Sequence, residues 1–449
     1  MFTQRQTLSL ESVPNPILVV CNLSFEQDDV SLKILETILS KTEGLEIVAV
    51  DDVSEAYLHR PEIGWGVLPI FSKQLPREEI EEYFNLTKKK GYSVVTLYYE
   101  YDARPEPYIR LGSVMSAERV RQFENGTELL KYAESKLLFF KEAKATSDMI
   151  RPSTKSDKSN INDWNLIKGE LDWLESKGRL LMQRDRFKLY LTTFSDLEII
   201  PQEIGRLRAV TYEEVGEGTG STIDLDVFDQ VYQQLFLVDV KGKQIVGGYR
   251  IGPGIDIANQ YGIEGFYIYT LYEIENSMSN MLSASIELGR SFVCKAYQKQ
   301  RLPLFLLWNG ILAFLHTHPS YRYIIGTVSI SRAYSDISRN LITTYLKRHH
   351  FDAVLASSFR PRQAYYESSS QDSLNTIIQV LNGKLIHLDE FISEIEPKNY
   401  RLPVLIKKYI NQNARFIGFN LDPSFSNCVD GLMVLDIRDL PLRTIQMYT

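Results

Sequence analysis

The stretch ELGRSFV at residues 287–293 decides how this chain is interpreted. Its apolar residues alternate with the others, which predicts a β-strand with Leu288 and Phe292 on one face. Strict alternation places Arg290 on that same face and Glu287 on the opposite one. An acid or an arginine in an apolar strand is costly unless it is paired or functional. We therefore expect this strand to hold the chemistry of the protein.

Two aspartates upstream are the expected partners of Arg290. Asp226 and Asp229 lie in IDLDVFDQ, residues 223–230, at a spacing that brings them near one face of a helical turn. Paired carboxylates of this kind can hold a guanidinium or an ammonium group. The alternative is a solvated helix start, where acids favour the helix dipole. Arg250 ends a predicted hairpin strand and is either part of the same charged group or an ordinary edge-strand arginine.

The composition describes a soluble globular protein of two or three domains. The chain has 449 residues, of which 44% are hydrophobic and 24% are charged. Its net charge of −7 argues against a nucleic-acid partner. The three cysteines lie far apart, which suits a reducing compartment and predicts no metal site.

Targeting and membrane signals are weak. No signal peptide opens the chain and no apolar run reaches the ~18 residues of a membrane span, so we expect a cytoplasmic protein. The longest apolar candidate, residues 302–315, is interpreted as a buried helix. The alternative is a helix that rests on a membrane surface, which would make the protein peripheral on the inner face of the membrane.

Secondary-structure patterns predict an N-terminal domain (1–145), a polar linker (146–163) and a C-terminal domain (164–449). The first domain alternates strands with helices, which predicts an α/β layer with parallel pairing. The second is predicted to contain an antiparallel hairpin, a strand–helix–strand–helix segment and two closing strands. The predicted elements include strands at 16–21, 45–50, 65–71, 92–99 and 108–111, and helices at 31–41, 77–90, 126–141, 164–181 and 195–208.

A glycine-rich loop closes the segment GRLRAVTYEEVGEGTG, residues 205–220. Its glycines suggest a phosphate-binding loop. We reject that interpretation because Glu213, Glu214 and Glu217 would repel a phosphate and no predicted strand precedes the loop. The remaining interpretations are a mobile surface loop and a flap over an active site.

The order of these residues resembles a known group of enzymes. The pattern resembles the acyl-homoserine-lactone synthase branch of the GNAT acyltransferases, and more closely the ornithine- or glycine-lipid N-acyltransferases, often called hemolysin-like. It consists of Leu207, Arg208, Tyr212, Asp226, Asp229, Arg250, Glu287 and Arg290. Strings such as PLFLLWNGI (303–311) and GFNLDPSFSNCVDGLMVLD (418–436) fit the closer group, and the resemblance covers about residues 180–440. It implies a GNAT-like mixed sheet for the C-terminal domain.

The resemblance implies an enzyme that moves an acyl chain, expected to be 3-hydroxylated, from acyl carrier protein to the amine of glycine or ornithine. Glu287 would act as the general base, a role worth ~10²–10⁴-fold in rate. Arg290 is the second expected catalytic residue, and the backbone N–H groups that follow it would polarise the thioester carbonyl. The remaining charged residues would shape the pocket and bind the acceptor together with a tyrosine; these are Arg208, Tyr212, Asp226, Asp229 and Arg250.

The segment after the key strand departs from acetyl-CoA-dependent GNAT enzymes. It reads KAYQKQRLPLF, residues 295–305, and lacks the glycine-containing loop that holds a pyrophosphate. The departure disfavours CoA as donor, and no cofactor is expected besides the carrier-bound substrate. Acyl carrier proteins are acidic, so Lys295, Lys299 and Arg301 are candidates for contacting one, although each could be an ordinary solvated residue.

The first domain resembles the glycerol-phosphate acyltransferase domain that is often fused upstream of such enzymes. That domain uses a His-x4-Asp motif, and the matching positions here are Leu23 and Asp28. Leucine cannot take a proton from a hydroxyl group. We therefore predict that residues 1–145 are a catalytically inactive O-acyltransferase remnant.

Two rival functions stay open at this point. The first is an enzyme of the same fold that makes a diffusible acyl signal, which predicts a soluble product and a nucleoside-bearing donor. The second is a non-catalytic lipid-binding scaffold in which both domains have lost activity.

Overall fold

The chain folds into two compact units. The computed structural model describes residues 17–21, 65–69, 77–91, 93–100, 108–111, 115–147, 163–195, 197–367, 371–396 and 400–446. The first unit comprises Met1–Ile150, Ser335–Leu341 and Ser368–Arg401, and the second comprises Arg151–Tyr334, Ile342–Glu367 and Leu402–Thr449.

The first unit contains a four-stranded sheet of order β2-β1-β3-β4. The strands β1 and β2 and the strands β1 and β3 pair in parallel, and β4 pairs antiparallel with β3. The strands are β1 (Ile17–Cys21), β2 (Trp65–Pro69), β3 (Ser93–Glu100) and β4 (Tyr108–Leu111). The early helices are α1 (Arg77–Lys90), α2 (Ala117–Arg121) and α3 (Gly126–Ser147). These bounds confirm the predicted elements among the described residues. The predicted helix 31–41 and strand 45–50, like Leu23 and Asp28, lie outside them.

Two late helices, α11 (Gln371–Leu381) and α12 (Leu385–Ile395), belong to the first unit. Phe391 of α12 packs its ring against Tyr132 of α3 at 6.1 Å and against Phe139 at 6.2 Å. The buried Lys136 of α3 pairs with Glu394 of α12. The C-terminal domain was expected to run without interruption over residues 164–449. Residues 368–401 belong instead to the first compact unit, because aromatic packing ties these two helices to α3.

The second unit is built on an eight-stranded sheet of order β13-β14-β11-β10-β8-β7-β6-β5. Within this described sheet, β10 and β11 pair in parallel and the other neighbouring strands pair antiparallel. The strands are β5 (Leu180–Arg184), β6 (Phe187–Thr192), β7 (Gln233–Asp239), β8 (Gln244–Pro253), β10 (Ser285–Val293), β11 (Tyr323–Ile330), β13 (Arg415–Asp422) and β14 (Cys428–Asp436). Two short strands, β9 (Tyr272–Ile274) and β12 (Phe359–Pro361), form a separate ribbon. The mixed α/β fold expected of this domain is confirmed.

The remaining helices follow the sheet along the chain. They are α4 (Trp164–Ser176), α5 (Ile199–Glu214), α6 (Gly254–Tyr261), α7 (Ser279–Ser283), α8 (Arg301–Thr317), α9 (Asp336–His349), α10 (Ala353–Ala356), α13 (Val404–Ile410) and α14 (Leu442–Gln446). Helix α4 ends earlier than predicted, because its C-terminal end turns directly into strand β5. Helix α5 starts later than predicted and has no cap of its own; Glu170 of α4 accepts hydrogen bonds from the backbone N–H groups of residues 198–200.

Helices cover both faces of this sheet. On one face, α4 and α5 pack on a core that includes Tyr190, Phe236 and Phe292. On the other face, Gly310 lets α8 approach the sheet closely, since a Cβ there would lie 2.6 Å from Leu189 and 2.8 Å from Leu235. The apolar run 302–315 is therefore a buried helix, as predicted. No helix in the part of the chain that the structure describes is long and apolar enough to cross a membrane.

Strand β10 separates from β11 halfway along its length. The parallel pairing covers only residues 285–287 of β10, whereas β11 continues alongside β14 as far as Ile330. On its other side, β10 carries a bulge, because Gly289 pairs with Arg250 but Phe292 pairs with Gly248. Two residues of β10 thus oppose one of β8, and the side of β10 that β11 leaves unpaired beyond Glu287 is called the opening beside β10.

The bulge overturns the predicted alternation. Because Phe292 pairs two positions along β8 from the partner of Gly289, it shares a face with Gly289 and Glu287 rather than opposing them. Arg290 lies inside the bulge with φ of 48°, a left-handed conformation that is uncommon for residues other than glycine. The prediction that Arg290 and Glu287 point to opposite faces was wrong for this reason.

Candidate functional site

Three charged residues form the buried centre of the site. Arg208 of α5 donates from Nη1 to Asp229 Oδ1 at 2.7 Å and from Nη2 to Gln234 Oε1 at 2.7 Å. Arg250 of β8 places its Nη1 atom 3.3 Å from Asp229 Oδ2. Arg208 and Arg250 are at most 1% exposed and Asp229 is 3% exposed. Since unpaired charges are very costly at such depth, these contacts are essential to the fold.

Asp226 connects this centre to Arg290. Its Oδ1 atom accepts from Arg250 Nη1 at 2.5 Å and its Oδ2 atom accepts from Arg290 Nη2 at 3.1 Å. Asp226 also caps the 3-10 turn Val227–Gln230, and Asp229 accepts its backbone N–H in return. The cation-pairing interpretation of these two aspartates is therefore confirmed, and they also cap a turn, but the alternative of a solvated helix start was wrong because Asp229 is only 3% exposed. Of the two aspartates predicted as partners of Arg290, Asp226 is the one that pairs with it.

Arg290 has a second acidic partner that the sequence analysis missed. Its Nε atom lies 3.1 Å from Asp224 Oδ2, and its guanidinium lies between the rings of Tyr267 and Phe425 at 5.3 and 5.2 Å. Asp224 precedes Asp226 by two residues, and the carboxylates of both lie 3.1 Å from the Arg290 guanidinium. These contacts compensate for the strained backbone of Arg290. Arg290 and Arg250 consequently reach the same charged cluster from adjacent strands.

The environment shifts the pKa values of these groups in different directions. Burial raises the pKa of Asp229, but Arg208 and Arg250 outweigh it and hold that pKa below its ordinary value. Burial raises the pKa of Asp224. Burial alone would lower the pKa of Arg290, yet nearby Tyr267 and Asp224 keep it above its ordinary value. Asp229 and Arg290 are thus charged at neutral pH.

Glu287 lies in β10 at the last position that pairs with β11, and only 1% of it is exposed. Its carboxylate accepts from the Tyr232 hydroxyl at 2.5 Å, from the Tyr267 N–H at 3.0 Å and from the Ile268 N–H at 2.9 Å. Burial raises its pKa to about 7, against the opposing effect of the Tyr232 hydrogen bond. A carboxylate with that pKa can exchange a proton near neutral pH.

Tyr212 of α5 contacts the bulge of β10. Its hydroxyl donates to the backbone carbonyl of Ser291 at 3.2 Å, and its ring meets Phe425 edge-on at 5.3 Å. It lies one helical turn after Arg208, so one side of α5 supplies both residues. The structure thus brings the predicted residues Arg208, Tyr212, Asp226, Asp229, Arg250, Glu287 and Arg290 together.

A second group of acids, which the sequence analysis did not single out, belongs to the same region. Asp430 of β14 accepts from Ser329 Oγ at 2.7 Å, and burial raises its pKa to about 7. Burial and the Asp430 carboxylate raise the pKa of half-buried Glu217 to about 8. Asp422 adds to the effect on Asp430, which Arg290 opposes. Asp422 and Asp430 lie close together in the string 418–436, whereas Glu217 lies about 200 residues earlier in a loop, so no local pattern links Glu217 to them.

The loop that contains Glu217 is held at two points. Ser331 Oγ donates to the Val215 carbonyl at 2.6 Å, and Ser426 Oγ donates to the Gly218 carbonyl at 2.7 Å. Gly216 and Gly218 have positive φ values of 75° and 98°, which explains the glycines without any phosphate. The interpretations as a mobile loop or a flap stay predictions.

The candidate carrier-protein residues lie around the start of α8. Lys295, Lys299 and Arg301 are exposed. Lys295 Nζ lies 3.4 Å from a carboxylate oxygen of Glu214. Their predicted role in contacting a carrier protein stays a prediction.

The raised carboxyl pKa values predict a pH-dependent stability. Glu217 keeps its proton in the folded state up to pH about 8, whereas its ordinary value is 4.5. Its contribution to stability is therefore full below the ordinary value and is lost as the pH rises through about 8. In the wild-type protein the urea midpoint should fall as the pH rises from 4.5 to about 8, and we expect Glu217→Gln to make this fall less steep. The exposed Glu198→Gln variant should keep the wild-type slope, and equal slopes for all three proteins would contradict this assignment.

Comparisons with known proteins agree with this architecture. Residues 207–308 match the family described as acetyltransferase (GNAT) domain. The chain is 26% identical over 309 residues to the glycine N(alpha)-acyltransferase of Bacteroides thetaiotaomicron, covering 63% of this chain and 88% of the relative. It is 24% identical over 297 residues to the enzyme of the same name from Phocaeicola vulgatus, covering 61% and 87%.

Two solved structures are also similar. The CoA-dependent acyl-homoserine lactone synthase MesI has a TM-score of 0.28 and 12% identity over 58% of this chain and 94% of that chain. The CoA-dependent synthase BjaI, with SAM and isopentyl-CoA, has a TM-score of 0.23 and 15% identity over 31% of this chain and 65% of that chain. The family match and the two relatives support an acyltransferase with a GNAT domain, as the resemblance implies.

Proposed function

We propose that this protein transfers an acyl chain from the thioester of an acyl carrier protein to the α-amine of glycine. The observation that carries the proposal is the opening beside β10, which has buried Glu287 at its start and Arg290 at its bulge. The names of the two relatives support glycine over ornithine as the acceptor. The product would be an N-acylglycine, with a 3-hydroxylated chain as the expected acyl group.

The opening is suited to hold the arm of a thioester. On the side of β11, no strand pairing is described for residues 289–291, and we propose that a ligand lies along β10 there and meets the backbone N–H groups that follow Arg290. N–H groups aimed at a thioester carbonyl stabilise the negative charge that forms during attack. In this arrangement the thioester carbon lies beside the bulge and close to Glu287.

Glu287 would remove the proton that the amine loses. The amine nitrogen forms a bond to the thioester carbon, the carbon–sulfur bond breaks, and the proton passes through Glu287 to the departing thiolate. The acceptor first releases one proton from its ammonium group to the solvent, because an ammonium group has no lone pair with which to attack, and Glu287 accepts the second proton as the carbon–nitrogen bond forms. The surrounding ion pairs hold strands β8 and β10 and the turn Val227–Gln230 in place. They are formed by Arg208, Asp226, Asp229, Arg250 and Arg290.

The donor is proposed to be a carrier protein rather than CoA. The segment 295–305 lacks the glycine that would let backbone approach a pyrophosphate, and it presents three exposed cationic side chains instead. An acidic carrier protein is attracted to such a surface, which raises its association rate. A peripheral position at the inner face of the membrane suits an amphiphilic product and remains part of the proposal.

Product analysis tests the proposed reaction. The purified chain is incubated with a 3-hydroxyacyl carrier protein and either glycine or ornithine, and the product is identified by mass spectrometry. We expect N-acylglycine and one free carrier thiol for each product molecule. No turnover with either acceptor would favour the scaffold function, and a soluble acyl product formed only after a nucleoside-bearing donor is added would favour the acyl-signal synthase.

Charge reversal tests the donor surface. In the double variant Lys299→Glu/Arg301→Glu, we expect KM for the acyl carrier protein to rise about 10-fold while KM for glycine stays unchanged, because repulsion replaces attraction. Lys241→Glu, an exposed change in the turn between β7 and β8, is the matched control. If KM for the acyl carrier protein changes equally in the double variant and in the control, or changes in neither, the assigned surface is contradicted.

A further inference from the structure

One edge of the Arg250 guanidinium has no partner. Its Nη1 atom donates to Asp226, but Nε and Nη2 have no hydrogen-bond acceptor among the described residues. In arginine, the N–H of Nε and one N–H of Nη2 point the same way and form a two-pronged fork. Arg250 is completely buried, and buried donors are almost always satisfied. A fully buried fork without an acceptor therefore calls for a ligand.

The space in front of this fork lies over Gly289. A Cβ atom built on Gly289 would lie 3.8 Å from Arg250 Nε and 4.0 Å from Nη2, and no other atom would come within 4 Å of it. Gly289 faces Arg250 across the strand pair and is itself half-exposed. The fork thus faces Gly289 near the point where β10 leaves β11, and Gly289 lies two residues from Glu287 in the chain.

Aromatic rings surround the rest of Arg250. The rings of Phe228, Tyr232 and Tyr267 lie 5.5, 5.2 and 5.3 Å from its guanidinium carbon. They fix the orientation of the guanidinium plane and keep water from its faces, which strengthens any ion pair at its remaining edge. A planar, two-oxygen anion fits that edge best, because carboxylate oxygens match the spacing of the arginine fork.

We propose that the Nε–Nη2 edge of Arg250 binds the carboxylate of the acceptor in the space over Gly289. The acceptor class is then a free α-amino acid, whose carboxylate is held by Arg250 while its amine reaches the opening beside β10. The absence of a side chain at position 289 creates the subsite. This inference rests on the proposed transfer to an amino acid and adds the group that selects the acceptor.

Gly289→Ala tests the subsite directly. Gly289 does not adopt a positive φ, so alanine introduces no backbone strain, but its methyl group occupies the space before the fork. We expect KM for glycine to rise about 10²-fold, with KM for the acyl donor and the urea midpoint unchanged. Gly169→Ala in helix α4, where nothing lies within 4 Å of the new methyl group, is the matched control and should leave both KM values unchanged.

Acceptors without a carboxylate provide the second test. Glycinamide keeps the size and amine of glycine, and we expect the wild-type protein to use it with a kcat/KM about 10²-fold lower. Equal use of glycine and glycinamide, or an unchanged glycine KM in Gly289→Ala, would overturn the inference and leave the proposed function standing.

Calorimetric titration separates the two proposals without turnover. We expect glycine to bind the wild-type protein. We expect no measurable binding of glycinamide to the wild-type protein and none of glycine to the Gly289→Ala variant. Glycine that binds in this pattern but is never acylated would refute the proposed function alone. Glycine and glycinamide that bind alike would refute the carboxylate subsite.

Discussion

Replacing Glu287 by glutamine is expected to lower kcat by about 10²–10⁴-fold, because the amide cannot accept the proton that the acceptor amine loses. The loss should appear in single-turnover experiments with saturating donor and acceptor, which isolate the transfer step. A variant that keeps full activity would exclude Glu287 as the base.

The structure adds a condition to this experiment. Both carboxylate oxygens of Glu287 accept hydrogen bonds, and two of the donors are the backbone N–H groups of Tyr267 and Ile268. Glutamine presents an NH₂ group in place of one oxygen, so at least one donor would lose its acceptor. The 3-10 turn Tyr267–Thr270 should then loosen locally, and the urea midpoint must be measured beside kcat.

Tyr232→Phe is the matched control for this effect. It removes one hydrogen bond to Glu287 but keeps the carboxylate, so most of the turnover should remain. In the wild-type protein, activity should rise with pH through about 7 as Glu287 loses its proton. Because the Tyr232 hydroxyl favours the charged form, its removal should move this rise to higher pH. A pH profile identical in both proteins would contradict the role of Glu287 as base.

Replacing Asp229 by asparagine is expected to destabilise the second unit by about 3–5 kcal/mol, because it leaves two buried arginines short of negative charge. Asp229 is the direct partner of Arg208 and also lies within 4 Å of Arg250, and all three residues are buried. Urea unfolding monitored by tryptophan fluorescence measures the change. The pKa of Asp229 is lowered in the folded state, so its stabilising effect is present above the ordinary value of 3.8 and is lost as the pH falls below it.

An exposed ion pair of the same unit supplies the control. Arg360 and Glu273 lie 3.2 Å apart with side chains 80% and 55% exposed. Glu273→Gln should cost no more than about 1 kcal/mol, since water screens such pairs. A cost for Asp229→Asn as small as that of the control would show that the buried network does not hold the strands and the turn together.

The sequence alone predicted most of the second unit. The hairpin of β7 and β8, strand β10 and the buried helix α8 follow from hydrophobic patterns that depend only on neighbouring residues. The pairing of Arg290 with Asp226 also followed, because an arginine in an apolar strand needs an acid. The helices of residues 371–395 were not predicted, and neither was strand β5, which directly follows the end of α4.

The tertiary structure decided how these residues face one another. Alternation along ELGRSFV separates Glu287 from Arg290, but the bulge at Gly289–Phe292 brings Arg290 to the charged cluster of Arg250. A bulge is set by the register between β10 and β8 and by the contacts that stabilise Arg290 at positive φ, and neither is written in a local pattern.

The sequence by itself thus determined which residues carry charge in apolar surroundings and therefore which of them require partners. Only the fold determined that Glu287 is anchored by the turn at residues 267–268, that Asp430 interacts with both Glu217 and Arg290, and that one edge of Arg250 faces the space over Gly289. The physical reason is that a charged residue in an apolar strand can be recognised from its neighbours in sequence. Its partner lies on strands and turns that come together only after long stretches of chain have folded.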